Sequence, residues 1–245
     1  MSQPTAHGTR SAPARRPGSR RESNWRVPVA LVALTTIPLV AGSLRLLEVA
    51  GQVFAEYGYA RATSKEICKR ASANIAAVNY HFDGKEGMYA AVLEEAHARL
   101  ISIDMVAAAT QGKADPALKL RMLLSQIVGQ ITNRKAGAWE LRVLSRELLA
   151  PTPMMDRMVA NQVAPKAQLV RGMVSSMMGL PLNHPAVSRC IVSLMGPCVM
   201  LLIVNEDVLH RVFPTLELQP QALVEHLVKF TMGGMKAITT HEKKR

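Results

Sequence analysis

Aromatic residues are scarce: four Phe, four Tyr and two Trp in 245 residues. Sheets draw on aromatic and β-branched side chains, so this shortage argues against an all-β protein. No segment alternates apolar and polar residues over strand length, and no hairpin signal stands out. Cysteine is rarer still, at Cys68, Cys190 and Cys198. An odd count without a C-x-x-C pair excludes a disulfide framework and fits a reducing compartment. Catalytic signatures are missing too: there is no G-x-S-x-G, P-loop, G-x-G-x-x-G or H-E-x-x-H. The seven His residues are scattered without metal-ligand spacing. No enzyme activity, cofactor or metal is therefore expected.

Acidic residues are also in short supply, 18 against 30 basic ones, for a net charge of +12. Such a surplus suits a polyanionic partner, either nucleic acid or an anionic membrane surface. Residues 1–43 carry six Arg against Glu22 alone, whereas residues 44–89 are nearly balanced. Residues 1–26 are rich in Arg, Pro, Ser and Gly, a composition that disfavours a packed core. The apolar run from Val27 to Gly42 follows, interrupted by Pro28 and Pro38. Two readings stay open for 1–43: a disordered basic and apolar extension, or a secretory or anchoring signal. The second would make the protein a membrane-anchored or exported binding protein.

What the chain has in plenty is Met, Leu, Ala and Val, which helices use well. The spacing of Leu46, Leu47, Ala50, Val53, Phe54 and Tyr57 predicts one helix from Leu44, ended by Gly58. Thr63-Ser64-Lys65-Glu66 is a capping-box pattern opening a second helix to about Ala71. Ser72-Ala73-Asn74 reads as a turn, with Asn74 as N-cap of a third helix, Ile75 to Phe82. Asp83-Gly84-Lys85-Glu86 opens a fourth, with Met88, Tyr89, Val92, Leu93, Ala96 and Leu100 on one face. Two short helices joined by a tight turn form a helix-turn-helix, whose second member enters the major groove. Small Ala76 and Ala77 permit close approach to DNA. Asn79, Tyr80, His81 and Lys85 supply hydrogen-bonding groups for phosphates and base edges. Thr63, Ser64, Lys65 and Asn74, at the two helix starts, complete the candidate DNA-binding set. Phe82 and Cys68 read as core.

The wording Phe54-Ala55-Glu56-Tyr57-Gly58-Tyr59, then Thr63 to Ala71, then Asn79-Tyr80-His81-Phe82-Asp83-Gly84-Lys85-Glu86-Gly87-Met88-Tyr89 closely resembles the head of TetR-family regulators. Asn74 to Phe82, and Trp139-Glu140-Leu141 with Arg146 to Pro153, are similar to the CecR-like branch. The resemblance implies phosphate contacts by Tyr80 and Lys85. Asn79 stands where many members have Tyr and contacts either phosphate or base. Ser72 replaces the Gly usual in the turn. Upstream, Thr35 to Gly42 is apolar where relatives begin their first helix with polar residues.

Beyond Ile103 the pattern stays helical. Helices are expected from Pro116, over Trp139 to Leu149, over Met154 to Met178 with a kink at Pro165, over Pro185 to Val204, and from Pro220 to about Thr240. Twelve of the 14 Met lie beyond residue 90. A Met-rich cavity adapts to varied apolar ligands. Trp139, Arg142, Arg146, Met173 and Met177 are the candidate effector-binding residues, with Leu141, Leu144 and Leu148 facing inward. Arg142, Arg146 and Glu147 form either polar anchors in a pocket or a surface network. Leu223, Val224, Leu227 and Phe230 are candidate dimer contacts.

The expected fold is therefore all-α: a three-helix helix-turn-helix head over 44–90 and a larger ligand-binding and dimerising body over 91–245. The expected function is a cytoplasmic, homodimeric transcription regulator, a repressor that reads a pseudo-palindromic operator in double-stranded DNA. A small hydrophobic effector would change its DNA affinity.

Overall fold

The computed structural model describes residues 29–132 and 138–243. All regular structure among them is helical. Two compact units divide at residue 40, residues 1–39 and residues 40–245. The first helix, α1, spans Val29–Arg61 and so begins well before the expected Leu44. Residues 1–28 of the predicted extension lie outside the described residues, and residues 29–43 are helical here.

From there the head follows the predicted order: α2 (Ser64–Ala71), α3 (Ile75–Phe82) and α4 (Gly84–Leu100). Gly58 interrupts α1 with φ 73° and ψ 166°, a conformation that side chains disfavour. The apolar faces of α1 and α4 follow the predicted spacing, except that Tyr57 is only half-buried. Leu46, Leu47, Ala50, Val53 and Phe54 are buried, as are Met88, Tyr89, Val92, Leu93, Ala96 and Leu100. Because α4 runs on past residue 90 with its buried side chains in the head core, a domain boundary at that residue falls inside a continuous helix.

The body comprises α5 (Ile103–Thr110), α6 (Pro116–Thr132), α7 (Trp139–Leu149), α8 (Met155–Met158), α9 (Ala164–Met178), α10 (Pro185–Ile203), α11 (Glu206–Val212) and α12 (Pro220–Glu242). A second core gathers side chains of α5, α6, α9, α10 and α12, and half-buried Ile101 and Ile131 touch both cores. The single helix expected over Met154 to Met178 is divided by a π-helical turn, Val159–Val163. Pro165 gives the reason. It has no N–H for the carbonyl four residues back and its ring crowds that carbonyl, so the backbone widens just ahead of it.

α7 packs into the head core through Trp139, Val143 and Leu144. The Trp139 indole Nε1–H donates to Glu48 Oε1 of α1 at 2.8 Å, and Arg99 of α4 lies over the indole, 5.2 Å from its centre. Arg99 also pairs with the other oxygen of Glu48 at 2.7 Å, and with Glu95 and Glu140. The indole lies so close to α1 that a Cβ at Gly51 would stand 2.5 Å from its ring. A buried pair, the Tyr89 hydroxyl donating to Glu147 Oε2 at 2.9 Å, fastens α4 to α7 a few turns away.

α9 meets α4 through a buried ammonium. Lys166, 6% exposed, donates to His97 Nδ1 at 3.0 Å and to Gln162 Oε1 at 2.9 Å. An ammonium only donates, so the His97 ring must be neutral with its proton on Nε2. Burial and the neighbouring Lys166 hold His97 down to about 4, and burial holds Lys166 down to about 8.

Two outcomes follow. Gly51→Ala should lower stability by roughly 1–3 kcal/mol by overpacking, and Trp139→Leu should relieve part of that loss in the double variant, as thermal melts would show. His97 titrates lower in the folded chain than in the unfolded one, so stability is present above about pH 6.5 and is lost as pH falls toward 4. In that window, melting temperatures of His97→Gln, which keeps an acceptor for Lys166 but does not titrate, should fall less steeply than those of the wild type.

Candidate nucleic-acid interface and body cavities

The geometry of the interface begins with two caps. Thr63 Oγ1 accepts from Glu66 N at 3.2 Å and starts α2. Asn74 Oδ1 accepts from Ala76 N at 3.0 Å and starts α3. Only half of the predicted capping box forms: the Glu66 carboxylate accepts from Arg70 at 2.7 Å instead of reaching back to the Thr63 N–H. Arg70 also binds Glu56 at 2.7 Å and the Tyr57 hydroxyl at 3.0 Å, tying α2 to α1 and holding the Glu56 carboxyl below its ordinary value. The turn between α2 and α3 passes through Ser72 at φ 53°, and α3 ends at Asp83 at φ 56°. Asp83 makes no side-chain cap bond to α4, contrary to expectation. Its left-handed backbone makes the corner instead. Immediately beyond, a Cβ at Gly87 would collide with the Phe82 carbonyl, so only glycine lets α4 begin so close to the end of α3.

This framework leaves one side of α3 open. Val78 is buried and Phe82 packs on the core, while Ala76, Asn79 and Tyr80 are exposed, Tyr80 to 76%. His81 is half-buried, edge-on to Tyr80 at 5.0 Å. Thr63 and Lys65 are exposed at the start of α2, and Ser64 is half-buried there. Lys85 lies at the start of α4, its Nζ 4.5 Å above the Tyr59 ring and 3.5 Å from the Ala60 carbonyl it donates to. Both are weak attachments that leave the ammonium free to turn toward an anion. Ile75, an exposed apolar residue at the first position of α3, lies outside the predicted contact set. Its only signal was an apolar type beside the polar N-cap, which reads equally well as core.

The five candidate effector residues do not converge. Trp139 is buried in the head core against α1, and Met173 in the body core. Met177 lines a shallow hollow with Met232 and Lys236. Arg142 and Arg146 are exposed, and Leu148 with them, so the inward face of α7 is Trp139, Glu140, Val143, Leu144 and Glu147. A one-residue shift of register around the helix, with Leu144 common to both faces, accounts for the difference, set by the buried Glu147 with its Tyr89 and Thr152 partners. A cavity of about 930 Å³ opens elsewhere, between the ends of α6 and α10, α7, α11 and the segment leading to α12. Its lining is mixed: Ile131, Leu141, Leu201, Leu209 and Leu218 are apolar, while Thr132, Glu206, His210, Glu217 and Gln219 are polar. Of these only Leu141 was marked in the sequence as inward-facing. Among the described residues no cluster of His, Cys, Asp or Glu is arranged to hold a metal ion.

A capped helix-turn-helix carried on a helical body defines a DNA-binding regulator. Residues 46–92 match the family model of the bacterial regulatory proteins of the tetR family. Residues 116–235 match that of the C-terminal domain of the HTH-type transcriptional dual regulator CecR. The chain belongs to the TetR family of transcriptional regulators, in the CecR-like branch. No curated protein matches it. Solved structures with the same fold include the fatty acid degradation regulator FadR of Bacillus halodurans, 18% identical with a TM-score of 0.59, covering 78% of this chain and 97% of that one. FadR of Bacillus subtilis in complex with stearoyl-CoA is 15% identical with a TM-score of 0.61, covering 78% and 98%. A TetR-like regulator from Rhodococcus sp. RHA1 is 16% identical with a TM-score of 0.55, covering 79% and 96%.

The exposed side of α3 and the position of Lys85 divide the expected contacts. Lys85→Ala should weaken binding about equally on all DNA sequences and reduce the salt slope by roughly one unit. Asn79→Ala should change sequence preference instead. Affinities measured at several salt concentrations on specific and random duplexes check both.

Proposed function

We propose that the protein is a homodimeric repressor of the cytoplasm that places two copies of α3 in successive major grooves of a pseudo-palindromic operator. The observation that carries this reading is the outward face of α3, with Asn79 and Tyr80 exposed on a helix fixed at both ends. Tyr80 and Lys85 hold phosphates, assisted by Thr63, Ser64 and Lys65 at the start of α2. Asn79 reads base edges, and Ile75 and Ala76 meet thymine methyl groups. His81 supports Tyr80.

Dimerisation is supported by α10 and α12. Val192, Val199 and Met200 are exposed on α10, and Phe230 is 66% exposed on α12. Beside Phe230, exposed Gly233, Gly234 and Ala237 allow a second helix to approach closely. Val224 and Leu227 are buried within the protomer and serve its own core. Leu223 is half-buried there, so Phe230 is the one of the four predicted contacts placed for a partner.

The effector enters the 930 Å³ cavity, where Ile131, Leu141, Leu201 and Leu209 give apolar contact to one part of a ligand and His210, Glu217 and Gln219 meet its polar part. The relative known with stearoyl-CoA carries a ligand with a long apolar chain on the same fold. A ligand there acts on DNA affinity only by preferring one spacing of the two heads. A hundredfold preference corresponds to about 2.7 kcal/mol, within reach of a few apolar contacts.

Phe230→Glu should give a folded monomer by light scattering, with operator binding lost. Leu201→Trp should intrude into the body cavity, narrowing it, and leave operator affinity near wild type. It should abolish the response to apolar compounds, long-chain acyl-CoA among them, in DNA-binding titrations.

A further inference from the structure

A second cavity, of about 450 Å³, lies where the head meets the body. The end of α1 forms one wall and the second half of α7 the other, with Tyr57, Tyr59, Arg61, Arg146, Glu147 and Leu149 among its lining residues. It is separate from the body cavity: the two share no lining residue.

Its chemistry is specific. The floor is aromatic, with Phe54 4.7 Å and Tyr59 4.9 Å from the Tyr89 ring, and half-buried Tyr57 and Tyr59, each with a cation on one ring face, are among the lining residues. Leu149, 69% exposed, adds an apolar side chain that no core accounts for. The two arginines rest on backbone carbonyls: Arg146 Nη2 on Glu56 O at 3.5 Å, and Arg61 Nε on Tyr57 O at 3.3 Å. Both bonds are long for N–H···O, and a carboxylate makes a shorter and stronger partner for a guanidinium. Glu147 does not compete for them. Its oxygens already accept from the Tyr89 hydroxyl and from the N–H and hydroxyl of Thr152, all within 2.9 Å. Gly58 leaves the wall open, since a Cβ there would stand 3.0 Å from Arg146 Nη1.

We propose that this cleft is a second ligand site, one that takes a planar aromatic carboxylate. The ring lies against Tyr57, Tyr59 and Leu149, and the carboxylate draws Arg146 and Arg61 from their carbonyls. The volume suits one or two fused rings. Such a ligand touches α1 on one side and α7 on the other, so it braces the head at one angle to the body. It shifts operator affinity to the extent that this angle differs from the DNA-bound one. The proposal does not depend on the body cavity.

Calorimetric titration of the full-length protein with 2-naphthoate, and with neutral 2-naphthamide beside it, tests the site. Naphthoate is expected to bind the wild type and the amide at least tenfold more weakly. Arg146→Gln, at an exposed position, should weaken naphthoate about tenfold, the loss of one charge-assisted bond. Ala150→Trp should block the cleft, and Leu201→Trp in the body cavity should change nothing. The proposal is overturned if the wild type gives no binding, if Arg146→Gln binds as the wild type does, or if Leu201→Trp and not Ala150→Trp removes binding. That last result would give naphthoate to the body cavity and leave the function proposed above intact.

Discussion

The seat of Trp139 is the contact on which the arrangement of head and body depends. One indole joins three helices: its N–H binds Glu48 of α1, its face carries Arg99 of α4, and its backbone opens α7. Arg99 and Glu48 would each be poorly placed without it, because their own ion pair is only partly shielded from water and exposed pairs contribute little. The indole covers part of that pair and is itself anchored by its hydrogen bond to Glu48. Gly51 makes the approach possible, so a residue with no side chain sets how closely the DNA-reading head lies against the rest of the protein.

The consequence for regulation is mechanical. Heads that sway independently of the body would transmit nothing from a ligand to DNA. Here α4 is pinned to α7 at both ends of their contact, by Arg99 with Trp139 and Glu140, and by Tyr89 with Glu147. A displacement of α7, which contributes Leu141 to the large cavity, must therefore carry α4 with it. Coupling of this sort needs an element with two discrete positions, and α4 both packs on α3 and runs along α7.

The head was almost fully legible in the sequence because its signals are local. Caps at Thr63 and Asn74, the turn at Ser72 and the periodicity of Met88 to Leu100 each arise from neighbours within a few residues. The body was legible in its long helices and not in what those helices surround. Trp139 carries chemistry that suits a ligand pocket equally well as a joint between helices, and only tertiary packing tells the two apart. The inward register of α7 depends on Glu147, a charged residue that reads as solvent-facing until its partners Tyr89 and Thr152 are in view. Short α5 and α11 carried no individual signal, since one or two turns are too few for a period to emerge. The large cavity drew on Leu209 and Leu218, from a short helix and a linker, which no periodic pattern marks as a wall.

α10 has a bearing on how the protein is made. Among the described residues it is the one helix long and apolar enough to cross a membrane, and barely more than a quarter of its most apolar stretch is buried in the protomer. A newly made chain that has not met a second copy therefore shows the cell a surface that chaperones and proteases treat as unfinished. If α10 is covered by pairing, survival of each chain depends on how many others are present, since association stabilises by mass action. Abundance would then respond to synthesis more steeply than in proportion, falling away below a threshold of expression. A regulator built in this way carries a dosage control in the composition of a single helix, independent of any ligand.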